Sequence, residues 1–266
     1  MNEVATASVR EDAALLKIDG VAKAYGETRA LKACNLSIRK GSIHAVIGEN
    51  GSGKSTMVKV LTGVVSPDAG SIVLEGGTPV RIGSPSASRR FGIATTFQEL
   101  LVLEELSLLD NLWLGQDGLF HARIARERRR TEAVAVMREL LGDDLPDLDT
   151  RIADLNLGIR QAAVIARSLL LRPRLLILDE ATAALDISVR DRLFATLRKR
   201  VAEGLSVLFI THKMDHIAAL ADAVTVLRSG VSVATLPIPD ATPAQVLPMH
   251  AARTPPLSTP APTHPA

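Results

Sequence analysis

SIHAVIGENGSGKST, residues 42–56, decides the fold. SIHAVIG (42–48) is an apolar, β-rich run bounded by glycine, the pattern of a buried strand. GENGSGKST (48–56) fits the spacing G-x-x-x-x-G-K-[ST] of a phosphate-binding loop, and Met57–Leu61 continues as a helix. The residue types serve the chemistry. Gly48, Gly51 and Gly53 let the backbone curl so that its N–H groups face phosphate oxygens. The helix that begins near Lys54 points its positive dipole end at the same place. Lys54 adds a full charge between the β- and γ-phosphates, and the Ser55 hydroxyl is placed to ligate Mg²⁺. The phosphate-binding set expected here is Gly48, Glu49, Asn50, Gly51, Ser52, Gly53, Lys54, Ser55 and Thr56, with the phosphates of a nucleotide and Mg²⁺ as ligands.

Working outward, the strand–turn–helix unit recurs. LLILD (175–179) is a second buried strand, followed by a helical stretch around 187–201. SVLFIT (206–211) is a third, followed by a helix over 214–221. The alternation predicts an α/β fold with a largely parallel sheet around a phosphate-loop NTPase core. LLKIDGV (15–21), SIVLEG (71–76), AVTVLRS (223–229) and VSVATL (231–236) read as further strands of an antiparallel β subdomain. Residues from about 100 to 170 are helical by pattern and form an inserted helical lobe. Asp179 stands at the C-terminal end of its strand, where open α/β sheets place ligands, and is expected to hold Mg²⁺ through water. Glu180 follows as the natural general base for the attacking water.

The chain has 266 residues, 47% hydrophobic and 23% charged, which excludes global disorder. Lys+Arg 31 against Asp+Glu 29 leaves +2, which argues against a protein that coats nucleic acid. Cys34 is the single cysteine, so no intramolecular disulfide or multi-cysteine metal site forms and a reducing compartment is expected. Residues 1–12 are a polar leader without a signal core. The apolar stretch 162–178 is interrupted by Arg167, Arg172 and Arg174, so no run spans a membrane. Nine of the 14 prolines lie in 237–266, which reads as an extended or disordered tail after a domain over 13–236. The basic run HARIARERRR (121–130) reads as a solvated helix face, and Trp113 as packing within the helical lobe.

With these motifs in place, residues 13–236 resemble the ATP-binding subunit of an ABC transporter. The resemblance implies roles for several residues. Tyr25, in AKAYGETRAL, falls where the family stacks an aromatic ring on adenine. Gln98, in ATTFQEL, matches a glutamine that touches Mg²⁺ and the attacking water at the junction with the membrane subunit. His212, in FITHKMD, matches the histidine that contacts the γ-phosphate. Asp186, in EATAALD, matches a loop that crosses to the opposite cassette. LNLGIRQ (155–161) aligns with the family signature L-S-G-G-Q, which faces the γ-phosphate held by the other cassette. Leu155, Gly158 and Gln161 are kept, whereas Asn156 replaces serine, Leu157 the first glycine and Ile159 the glutamine. Gly158 still allows close backbone approach, and the Asn156 amide can donate a hydrogen bond, so the site is altered without being dismantled.

FQELLVLEELSLLDNLWLG (97–115) is similar to the corresponding region of simple-sugar importers. Ser107, Asn111, Leu114 and Gly115 hold the matching places, with Asp110 for the usual glutamate. The resemblance implies an ATP hydrolase on the cytoplasmic face of the membrane. Its expected partners are membrane-spanning permease subunits, a second ATP-binding cassette (homodimer or heterodimer) and, indirectly, a substrate-binding protein. The alternatives are a nucleotide-gated module of low turnover, which the altered signature raises, and an ABC ATPase for another substrate.

Overall fold

The computed structural model describes residues 14–116 and 126–238. The polar leader, the first half of the basic run and all but the start of the proline-rich tail lie outside them. Nine strands form one sheet in the order β4-β1-β2-β9-β8-β3-β7-β6-β5. The strands are β1 (Ala14–Tyr25), β2 (Thr28–Arg39), β3 (Ile43–Ile47), β4 (Ala69–Leu74), β5 (Ile93–Thr96), β6 (Leu175–Asp179), β7 (Ser206–Ile210), β8 (Ala223–Arg228) and β9 (Val231–Pro237).

One half of the sheet is parallel: β8, β3, β7, β6 and β5 run side by side in one direction, so AVTVLR (β8), expected among the antiparallel strands, instead extends the parallel half because it pairs with β3. Parallel strands are covered on both faces, so their sequences are continuous apolar runs rather than alternating ones. All five positions of β3, of β6 and of β7 are buried. The other half is antiparallel, with β1 paired to β2 and to β4. β9 folds back on β8 as a hairpin and makes a single parallel bridge to β2, Ala33 to Val231.

Helix α1 (Lys54–Leu61) follows β3, α6 (Ile187–Ala202) follows β6 and α7 (Met214–Leu220) follows β7. Between β4 and β5 lies the short α2 (Pro85–Arg90), whose first turn is capped by the Ser84 hydroxyl accepting from Ala87 N. The helical segment contains α3 (Leu108–Leu112), α4 (Arg126–Leu141) and α5 (Leu157–Leu170). One apolar cluster joins Leu112, Met137 and Ile165 of this segment to Leu193 and Leu197 of α6 and Phe209 of β7. A second cluster packs Met57 and Leu61 of α1 against Ile18, Ile38, Ile177 and Ile210. Cys34 is buried in this second cluster and is free.

The S-x-x-D-N stretch at 107–111 is a local brace. Ser107 Oγ accepts from Asp110 N at 3.1 Å and donates to Asp110 Oδ2. Asn111, 2% exposed, closes the preceding loop: its Oδ1 accepts from Leu103 N and its Nδ2 donates to Leu103 O and Ser107 O. Trp113 is buried and donates from Nε1 to Arg129 O. Of the described part of the basic run, Arg130, half-buried, pairs with the exposed Asp147 and Asp149, and the exposed Arg128 with the half-buried Glu132. That is the solvated, acid-balanced face expected for it.

Candidate nucleotide site

Because β3, β5, β6 and β7 are parallel and adjacent, their C-terminal ends share one edge of the sheet. The residues that follow them meet there in a cavity of about 730 Å³, a volume in the range of small-molecule sites. The loop after β3 supplies Gly48, Glu49, Asn50, Gly51 and Gly53, and α1 supplies Lys54, Ser55 and Thr56. Gln98 comes from beyond β5, Asp179 and Glu180 from the end of β6, and His212 from the loop after β7.

The phosphate loop has the required backbone. Gly53 sits at φ 109°, and a Cβ there would lie 2.7 Å from Ala30 O and from Leu31 Cδ2. Only glycine fits, on both torsional and steric grounds. The β8–β9 hairpin braces the loop from behind: Gly230 N donates to Ser52 O at 2.9 Å, and the Leu227 carbonyl closes the space beside Gly48. Ser52 is 4% exposed, and its hydroxyl, unlike those of Ser107 and Ser84, has no hydrogen-bond partner. Lys54 is 8% exposed, and its ammonium donates to Gly48 O at 2.6 Å and Glu49 O at 2.9 Å. It is thereby folded back over the loop that it would share with phosphates. Burial lowers its pKa, against the opposing pull of Glu180 and Asp179.

Asp179 is pushed up to about 6, first by burial and then by the neighbouring Glu180, with Lys54 opposing. A carboxylate so placed is short of positive charge. Ser55 hydroxyl, Gln98 amide oxygen and Asp179 carboxylate together make an all-oxygen donor set, which fits Mg²⁺. Among the described residues no cluster of three His, Cys, Asp or Glu could hold a metal by itself. One carboxylate plus a hydroxyl, with water and substrate phosphates completing the shell, is how Mg²⁺ is commonly bound.

Glu180 and His212 meet directly, Oε2 to Nδ1, at 2.8 Å. Glu180 adopts φ 53°, a left-handed conformation that costs a non-glycine residue energy. Its N–H is held by Ile210 O at 3.0 Å, which ties the end of β6 to the end of β7.

Tyr25 stands at the end of β1, 45% exposed, just outside the cavity wall. It pairs across the two-residue turn with Thr28, which does line the cavity. Thr28, Arg29 and Ala30 are wall residues that the sequence motifs do not reveal. Asn156, Gly158 and Asp186 lie away from this cavity. Asn156 is the N-cap of α5, its Oδ1 accepting from Ile159 N at 2.9 Å, which leaves its amide hydrogens free to face outward. Leu157, the first residue of α5, is 58% exposed. Asp186 caps α6 through Val189 N and Ser188 Oγ, which holds its carboxyl below the usual range. A Cβ on Gly158 would lie 3.7 Å from Ala184 O, so the start of α5 and the loop before Asp186 form one surface.

Residues 31–183 match the family model described as ABC transporter. The chain belongs to the ABC transporter family. It is 40% identical over 233 residues to the ribose import ATP-binding protein RbsA 1 of Rhizobium johnstonii, a match that covers 88% of this chain and 45% of that protein. It is 39% identical over 230 residues to RbsA 2 of Streptomyces coelicolor, covering 86% and 44%. The chain therefore spans under half the length of these curated relatives. In fold it matches the crystal structure of a nucleotide-free ATP-binding cassette from an ABC transporter, with a TM-score of 0.76 and 24% identity, over 90% of this chain and 100% of that one.

Proposed function

We propose that the chain binds ATP with Mg²⁺ and hydrolyses the γ-phosphate, as the energy-coupling cassette of a simple-sugar importer. The observation that carries this is the shared cavity at the ends of four parallel strands, where a phosphate loop, the buried Asp179 carboxyl and a bonded Glu–His pair face one space. The loop N–H groups and Lys54 bind the phosphates. Tyr25, exposed at the rim, stacks on the base. Ser55, Gln98 and Asp179 hold Mg²⁺, which when bound offsets charge on the β- and γ-phosphates. Glu180 orients and deprotonates the water. His212, released from Glu180, donates to the γ-phosphate.

The sugar class rests on the names of the relatives, which are ribose import proteins. The start of α5, with Asn156 and Gly158, faces the nucleotide of a second cassette, and Asp186 lies on the same surface. An open apolar groove beside Phe97, lined also by Leu101, Leu103 and Leu114, supports docking of a membrane-spanning subunit next to Gln98. Docked in this way, the cassette works on the cytoplasmic face of the membrane; among the described residues no helix is long and apolar enough to cross one. A substrate-binding protein delivers the sugar to that subunit and does not touch this chain.

The test is the solution mass of Glu180→Gln with and without ATP–Mg²⁺. A dimer that needs ATP supports closure of two cassettes through the altered signature. A variant that hydrolyses ATP at the wild-type rate refutes the role of Glu180, since loss of a positioned base costs about 10²–10⁴ in rate. The exposed Leu157 favours a second reading, a cassette of low turnover. Wild-type protein that binds ATP, stays monomeric and does not hydrolyse it supports that reading.

A further inference from the structure

His216 is a buried titratable group that the hydrolytic scheme does not use. It lies on α7, one turn beyond His212, and is 3% exposed. Its Nδ1 is 3.1 Å from Thr182 Oγ1, and Thr182 is itself 2% exposed. Phe194 of α6 meets the imidazole edge-on at 5.6 Å, and Phe209 of β7 meets Phe194 in the same way at 6.1 Å. The ring is thus set among aromatic groups with one polar partner on its Nδ1 side. Asp215 Oδ2, 3.7 Å from Nε2, is too far to hydrogen-bond.

Thr182 stands two residues after Glu180, and His216 four after His212. Beside the backbone bond from Glu180 N to Ile210 O, two side-chain links therefore join the loop after β6 to the segment after β7. One link is Glu180–His212, at the cavity, with the His212 side chain 60% exposed. The other is Thr182–His216, with both partners buried. The two links differ in kind. An exposed bond exchanges readily with water or a ligand. A buried one does not, because breaking it leaves two polar groups unsatisfied. Hydrolysis as proposed above requires Glu180 to turn to water and His212 to turn to phosphate, so the exposed link must open. Glu180 also occupies a left-handed backbone conformation, which persists only where its surroundings enforce it.

We propose that His216 is a positioning residue. With Thr182 it forms a fixed pin between the two catalytic loops, which keeps Glu180 and His212 in register while their own hydrogen bond opens. The inference rests on the assignment of Glu180 and His212 to hydrolysis.

The test uses full-length His216→Leu, His216→Asn and Thr182→Val. His216→Leu fills the space without a polar atom. His216→Asn offers a polar atom close to the position of Nδ1. Thr182→Val removes the partner at constant shape. Misplacing a catalytic group by about 1 Å costs on the order of 10²-fold. His216→Leu is expected to lower kcat for ATP by roughly 10- to 100-fold with KM for ATP nearly unchanged. Thr182→Val falls in the same direction, the double variant is no worse than His216→Leu, and His216→Asn recovers most of the loss. Hydrogen exchange of the same proteins reads the pin without turnover. In His216→Leu and in Thr182→Val, amides 180–184 and 213–217 lose protection together, while β3 does not change. Loss confined to α7, or a His216→Asn variant as impaired as His216→Leu, overturns the pin. A wild-type chain that hydrolyses no ATP defeats the proposed function instead, and the exchange result then decides the pin alone.

Discussion

Asn156 caps α5 and, in the proposed dimer, would also face the partner's nucleotide; single substitutions distinguish the two tasks. Its Oδ1 caps α5 by accepting from Ile159 N, while its amide hydrogens face the surface offered to a second cassette. Asn156→Ala removes both. The lost cap costs about 1 kcal/mol, which lowers Tm by about 2–4 °C in a chain of this size. Asn156→Asp retains the cap, and its charge at a helix N-terminus adds about 0.3–1 kcal/mol. Its stability therefore equals or exceeds that of the wild type. In the proposed dimer it also places a negative charge where the partner's phosphate would approach. At about 4 Å and an effective dielectric of about 20, that repulsion is about 4 kcal/mol, close to three decades in closure. Asn156→Asp is thus expected to melt no lower than wild type, to bind ATP normally in its own cavity, and to lose ATP-driven dimerisation and turnover. Thermal unfolding, nucleotide titration and solution mass in the Glu180→Gln background report these three quantities. An Asn156→Asp chain that dimerises as tightly as its parent refutes the placement of this helix end against nucleotide. One that melts several degrees lower refutes the cap.

Three further outcomes follow from the same geometry. Gly53→Ala forces a side chain onto Ala30 O at a φ that disfavours it, so ATP binding measured by calorimetry is lost and Tm falls. Tyr25→Ala removes an exposed ring with no core role; ATP affinity drops by about 1–3 kcal/mol while Tm stays put. His44, on β3 and 3% exposed, is held down to about 4, chiefly by burial, and its Nε2 meets Thr225 Oγ1 at 2.8 Å. A depressed histidine keeps its full contribution above the unfolded value near 6.5. Below that the unfolded chain takes up the proton, so stability falls as pH drops from 6.5 toward 4, by about 3 kcal/mol. His44→Gln removes that acid limb in denaturant titrations run across this interval.

Three of the four strands that carry the site are legible because burial on both faces writes them as apolar runs: IHAVI, LLILD and SVLFI. The start of α5 at 157 is legible from the aligned signature. β2 is not identified from its sequence, TRALKACNLSIR, where Ala, Lys and Asn dilute the strand signal; pairing to β1 and β9 imposes its conformation. β5 is four residues, too short to carry a period. Contiguous parts of the site, the phosphate loop and Asp179–Glu180, are visible because their spacing is fixed by the chain. The brace of Leu227 and Gly230 behind Gly48 and Ser52 is invisible to any local pattern, because sheet order creates it. The same holds for the Glu180–His212 bond, whose partners are 32 residues apart.

The neighbours of β3 are β7 and β8, residues 206–210 and 223–228. About 160 residues are synthesised between β3 and its first flanking strand. At ribosomal rates of about 5–20 residues per second, IHAVI waits on the order of ten seconds or more without a partner on either edge. During that interval the loop has its glycines but no walls, and ATP has nothing to grip. The binding site is therefore one of the last features of this domain to exist, and nucleotide can reward only a chain that has already been translated nearly to residue 230.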